Sequence, residues 1–129
     1  MIFLDTSAIY ALADLSDKNH KAAKQTFASL LTAGEELLLH NYILVESLAL
    51  IQHRLGIPQS KVFLSEAKQF RIVWIDLSLH AKAAEYFMQQ GKRGVSFVDS
   101  TSFVVMRENG IKKAFAFDDD FAKAGFKIY

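Results

Sequence analysis

The chain has 129 residues, 51% of them hydrophobic, with 15 Lys and Arg against 14 Asp and Glu for a formal net charge of +1. This is the size of one domain (residues 1–129) with ample core material, which excludes a disordered chain, and the near-neutral charge excludes a global field for nucleic acid, so any such surface is a local patch. With no cysteine there is no disulfide or thiolate–zinc framework, and with no bilayer-length apolar run or signal-peptide pattern the expected location is cytoplasmic, with no membrane partner.

Residues 1–4, Met1-Ile2-Phe3-Leu4, are apolar and partly β-branched and predict a buried strand. A helix follows over 7–13, with Thr6 or Ser7 as its N-cap. Asp17 is placed to cap a second helix over 18–33, which Gly34 ends. Leu37-Leu38-Leu39 predict a second strand. Asn41 is placed to cap a helix that runs to Leu55 and stops at Gly56. Pro58 opens a helix over 59–70, as its preference for the first turn requires. Residues 71–75 predict a third strand, and 78–90 a helix with Leu79, Ala83, Tyr86 and Phe87 on one face. Gly91-Lys92-Arg93-Gly94 is a basic loop. Residues 97–108 predict a helix ended by Asn109-Gly110, 113–117 a strand, 121–124 a short helix and 126–129 a last strand. Short strands apolar on both faces, alternating with helices, predict a three-layer α/β domain: a central, mostly parallel sheet flanked by helices.

Four carboxylates interrupt apolar sequence. Asp5 ends Met1–Leu4, and Asp118 ends Ala114-Phe115-Ala116-Phe117. Glu46 is the only charge between Tyr42 and Ile51, and Asp99 the only charge between Val95 and Met106. A buried carboxylate is costly unless it is neutralised, paired or bound to a metal. Neither helical acid has an ion-pair partner at i±3 or i±4. In open parallel sheets functional groups collect at the carboxyl ends of strands, so all four are expected to converge there. Such a cluster suits hard divalent cations, which prefer oxygen ligands. Three or four carboxylates around one or two Mg²⁺ or Mn²⁺ ions can hold a phosphodiester for in-line attack by an activated water. The histidines, His20, His40, His53 and His80, adjoin no nucleophile turn and read as packing or surface residues.

Met1-Ile2-Phe3-Leu4-Asp5-Thr6-Ser7-Ala8 resembles the opening of PIN domains. So do the single Glu46 in an apolar helix, then Ser96-Phe97-Val98-Asp99, then Phe117-Asp118-Asp119-Asp120-Phe121. Length and element order match as well, and the nearest subgroup is the VapC-like toxins of type II toxin–antitoxin systems. The resemblance implies a PIN-like fold and a metal-dependent endoribonuclease with catalytic acids at Asp5, Glu46, Asp99 and Asp118. It also implies a hydroxyl just after the first aspartate, at Thr6 or Ser7, with Ser7 the better match. Asp118 is the choice for the metal site; Asp120 suits the N-cap of the following helix and can reach a metal through water, while Asp119 is solvated. RNA as substrate, a cognate antitoxin and a homodimer are further implications of the resemblance.

Lys92 and Arg93 precede the Asp99 helix, where they are either a solvated turn or positive charge at the mouth of the site. The apolar residues Ile43, Leu44, Leu48, Ile51, Leu55, Val62 and Phe63 exceed one inward face and are read as a partner surface. A haloacid dehalogenase-type phosphatase needs Asp two residues after the first, where Ser7 stands. A receiver-type domain needs its acidic doublet early, whereas here the acidic run comes late. The alternative to the nuclease is a PIN-like module that binds RNA or protein without cleaving; the presence of all four acids argues against it.

Overall fold

The structure, a computed structural model, describes residues 1–129. Five strands form one sheet: β1 (Ile2–Leu4), β2 (Leu37–His40), β3 (Arg71–Val73), β4 (Lys113–Phe115) and β5 (Lys127–Ile128), in the order β3-β2-β1-β4-β5. Every pairing is parallel, so the sheet is wholly rather than mostly parallel. Phe3 pairs with Leu38 on one side and Ala114 on the other, which makes β1 the central strand. Its three residues are fully buried, as expected for an apolar strand covered on both faces.

The helices are α1 (Thr6–Ala13), α2 (His20–Thr32), α3 (Asn41–Leu55), α4 (Ile57–Glu66), α5 (Leu77–Gln90), α6 (Phe97–Glu108) and α7 (Asp120–Lys123). The chain steps outward from β1 to β2 to β3, then returns to β4 and on to β5. Right-handed crossovers therefore place α1–α4 on one face and α5–α7 on the other. The packing agrees: α1 lies against α2 and α3, α3 against α4, and α5 against α6. On the α6 side Phe3 meets Phe121 at 5.9 Å between ring centroids, and Phe121 meets Phe103 edge-on at 5.1 Å. Edge strand β5 has only two residues, both exposed, and carries Lys127, a common guard against edge pairing.

Several caps differ from the sequence expectation. The N-cap of α1 is Asp5, which has extended backbone and accepts from Ser7 N; Thr6 and Ser7 are already helical. The N-cap of α3 is His40 rather than Asn41. Asn41 is instead the acceptor for Ile75 N at 2.6 Å, which pins the chain leaving β3. Asp17 accepts from Asn19 N at 3.0 Å in a turn, so α2 starts only at His20. Pro58 lies in the first turn of α4, which begins at Ile57, ends at Glu66 and passes into a 3-10 turn, Ala67–Gln69. Strands β3 and β4 stop two residues earlier than the apolar pattern.

His40 is fully buried, and its two nitrogens have fixed roles. The Ser102 hydroxyl donates to Val98 O at 3.0 Å, so at 2.9 Å from His40 Nε2 it acts as acceptor. Nε2 therefore carries the proton, and Nδ1 accepts from Ile43 N at 3.2 Å. The bond accepted by Nδ1 requires the neutral ring, since both nitrogens of a charged imidazole are donors. Desolvation pushes its pKa from 6.5 down to about 3. A depressed histidine pKa contributes stability above pH 6.5 that is lost as pH falls towards 3. We predict that the urea midpoint of the wild type falls relative to that of His40→Gln on acidification through this window, the difference removing the opposing contribution of buried carboxyls. His40→Gln should be the less stable protein at neutral pH, with the gap closing towards acid; parallel curves would disprove the assignment.

Candidate metal centre at the carboxyl edge of the sheet

Asp5 immediately follows β1, and Asp118 lies three residues beyond β4. Strand β1 leads away to β2 and β4 leads the other way to β5, so the gap between β1 and β4 is the topological switch point, where open α/β sheets place ligands. Asp99 enters from α6, whose first turn sits over this gap. One carboxylate oxygen from each of Asp5, Asp99 and Asp118 falls within 4.8 Å of the others.

Each carboxylate is held by local bonds. Asp5, only 3% exposed, accepts through Oδ2 from Ser7 N at 3.0 Å and from Ser7 Oγ at 2.6 Å. Ser7 Oγ in turn accepts from Phe117 N at 3.0 Å, which ties the end of β4 to the start of α1. Asp99 accepts from Ser96 N at 3.1 Å, and Ser96 Oγ accepts from Asp99 N at 3.0 Å, a reciprocal capping box. Asp118 accepts through Oδ1 from Asp120 N at 3.2 Å. Asp5 and Asp118 each keep their second oxygen clear of these bonds.

Burial raises the pKa of Asp5 from 3.8 to about 7; the charges of Asp118 and Asp99 add to this, and the Ser7 bonds oppose it. Asp99 is raised by burial and by the charge of Asp120, against its Ser96 bonds. Asp118 is raised by burial and then by Asp99 and Asp120. No basic side chain relieves them. The ion pairs of the molecule are the amino terminus with Glu35, Arg71 with Glu36, Lys82 with Glu108, and Lys123 with Asp119, none of which includes Asp5, Asp99 or Asp118. An oxygen-only donor set, one carboxylate buried and two half-buried, mutually repelling and without a cationic partner, fits a hard divalent cation.

The expected meeting of four acids is thus a meeting of three. Glu46 stands outside the triad on α3, beside the Thr6 hydroxyl. Burial and the charge of Asp99 raise its pKa, and Thr6 opposes the rise. Thr6 Oγ1 also accepts from Ser47 Oγ at 3.0 Å, so the two hydroxyl candidates divide: Ser7 faces Asp5, and Thr6 faces α3. Asp120 is likewise outside the triad. It is the first residue of α7 rather than its N-cap, which is Asp119, and its charge reaches Asp99 and Asp118. Asp119 is exposed, as expected, and pairs with Lys123 at 3.1 Å. Lys92 and Arg93 are both exposed. Ser96, which sets the Asp99 side chain, escaped the sequence reading although Ser96-Phe97-Val98-Asp99 has the Ser-x-x-acid spacing of a capping box.

Removing Ser7 Oγ should disturb the centre without emptying it. Ser7→Ala takes a donor from Asp5 and leaves Phe117 N without its acceptor, which costs about 1–2 kcal/mol of stability. We predict a roughly tenfold loss of activity with an upward shift in its pH profile, and Ser7→Thr should recover most of it. Wild-type activity in Ser7→Ala would show the hydroxyl to be dispensable.

An open parallel sheet with an acidic cluster at its switch point defines a class of oxygen-ligand metal sites in α/β domains. The PIN domain family model matches residues 2–127, and the chain belongs to that family. It is 37% identical over 130 residues to the 23S rRNA-specific endonuclease VapC20 of Mycobacterium tuberculosis, in both strain CDC 1551 / Oshkosh and strain H37Rv, covering 98% of this chain and 95% of that protein. The crystal structure of M. tuberculosis VapC20, described as a sarcin–ricin loop cleaving toxin, superposes with a TM-score of 0.89 at 35% identity, covering 98% of this chain and 96% of that one. The crystal structure of FitAcB from Neisseria gonorrhoeae shares the fold alone, with a TM-score of 0.70 at 17% identity over 100% of this chain and 96% of that one. No helix is long and apolar enough to cross a membrane.

Proposed function

We propose that this protein is a metal-dependent endoribonuclease toxin that cuts the sarcin–ricin loop of 23S rRNA. The observation that carries the reading is the convergence of Asp5, Asp99 and Asp118 at the switch point, in a chain 37% identical to VapC20 over almost its whole length.

Asp5, Asp99 and Asp118 would hold Mg²⁺ or Mn²⁺. A divalent cation bound there supplies charge that polarises the phosphodiester and makes water more acidic. The residues do the rest. Ser7 and Ser96 fix the Asp5 and Asp99 carboxylates before substrate arrives, so little reorganisation is needed in the reaction. Glu46, with its raised pKa and its position beside Thr6, extends the acidic wall and orients the attacking water. The water oxygen attacks phosphorus in line with the leaving ribose oxygen. No covalent enzyme intermediate is involved.

The VapC-like resemblance further implies a homodimer and an antitoxin. A cavity of about 310 Å³ between α1, α2 and α4, lined by Leu4, Ile9, Phe27, Phe63 and Phe70 among others, supplies an apolar seat for a partner helix. The partner surface read from the sequence is narrower than expected: Ile43, Ile51 and Phe63 are buried within the monomer, Leu44, Leu48 and Leu55 are half-buried, and Val62 is exposed.

The test is incubation of the purified protein, free of antitoxin, with total bacterial RNA and Mg²⁺ or Mn²⁺, mapped by primer extension. One cut in the sarcin–ricin loop, absent with EDTA, is the expected result. Intact RNA with both metals and a folded protein would replace this reading with the non-catalytic binding module.

A further inference from the structure

Helix α7 separates two environments of opposite sign. On one side Asp118 joins the acidic cluster. On the other, a cavity of about 250 Å³ opens between α5, the 91–96 loop, α6 and α7. Three cations line it, Lys92, Arg107 and Lys123, against a single anion, Asp120, with the Gln90 amide at the wall.

The cations are prepared to different degrees. Arg107 is preset: its guanidinium donates to Ala124 O at 3.1 Å and lies 5.3 Å over both the Tyr86 and Phe126 rings. One carbonyl leaves most of its five donors available. Lys92 is exposed and makes no ion pair. Lys123 pairs only with Asp119, both side chains largely solvated, and such pairs are weak and readily exchanged. The cavity also touches the cluster's margin, because Asp120 lines it and its charge acts on Asp99 and Asp118.

An acidic centre repels the polyanion on which it acts, so RNA must be held by positive charge close by. We propose that Lys92, Arg107 and Lys123 form a subsite for an RNA backbone phosphate next to the scissile one. The inference rests on the endoribonuclease reading. The 91–96 loop then serves to carry Lys92 to the RNA, and α7 supplies Lys123. Phosphate contacts of this kind set register rather than base preference.

The test uses the intact protein and an RNA hairpin bearing the sarcin–ricin loop sequence, cleaved with Mn²⁺ at several salt concentrations. Lys92→Ala combined with Lys123→Ala should lower kcat/KM about tenfold at low salt, almost wholly through KM, and flatten its salt dependence by roughly one unit of log–log slope for each cation removed. Lys92→Arg should retain wild-type values. A neutral methylphosphonate walked along the hairpin should reproduce the loss at one flanking position in the wild type and cost less there in the double variant, where only Arg107 remains. Wild-type KM and salt slope in a folded double variant, with the wild type cleaving, would overturn the subsite and leave the nuclease intact. Absence of cleavage by the wild type would remove the nuclease reading and this subsite with it.

Discussion

Asp99→Asn is expected to abolish RNA cleavage, by about a thousandfold or more, in a protein that still folds. The fold survives because asparagine still accepts from Ser96 N, so the capping box that starts α6 keeps its geometry. Activity does not, because one of three charges converging within 4.8 Å is gone. Asp5→Asn should behave alike, with its amide oxygen accepting from Ser7. The measurement is hairpin cleavage in Mn²⁺ beside a circular dichroism melt. Activity near wild type in either folded variant would end the three-carboxylate centre as described.

The second large effect is on stability. Without divalent cation, the Asp5 contribution declines as pH rises from about 4 to about 7. The sign follows from the shift: Asp5 goes from 3.8 to about 7, so the native state binds its proton more tightly than the unfolded chain. The contribution is fully present below the unfolded value and is lost as pH rises through the folded one. Its ceiling is about 1.4 kcal/mol per pKa unit. His40 acts with the opposite sign over an overlapping window, so the Asp5 part is isolated as the difference between wild type and Asp5→Asn at each pH. We expect Asp5→Asn to be the more stable protein at pH 8 without metal. Adding Mn²⁺ should raise the wild-type melting temperature, more at pH 8 than at pH 5, because protons and metal compete for the same oxygens. A metal-free Asp5→Asn that melts below wild type at pH 8 would contradict this.

Much of this architecture was legible because the residues obey simple periodicities. Met1-Ile2-Phe3-Leu4 and Ala114-Phe115-Ala116-Phe117 announce buried strands, and the acid that ends each run is conspicuous. The three-layer sheet followed from alternation alone. What local pattern could not resolve were the choices settled by tertiary contact. His40 displaced Asn41 as a cap because Ser102, 62 residues away, fixes the ring from its other nitrogen. Asp5 displaced Thr6 and Ser7 because Ser7 Oγ is engaged by Phe117 N, 110 residues away. Glu46 resembled its three companions in sequence, isolated in an apolar run, yet its place on α3 sets it beside Thr6 instead of inside the triad. Distance within the site depends on helix docking, which no window of sequence contains.

The central position of β1 also governs when the acidic centre can form as the chain folds. Asp5 and Asp118 meet only after β4 has threaded in beside β1, where Phe3 meets Ala114 and Leu4 meets Phe115. Pairings so far apart in the chain form late and slowly. Assembly of the acidic centre is therefore a late event of folding, set by strand order rather than by any one segment.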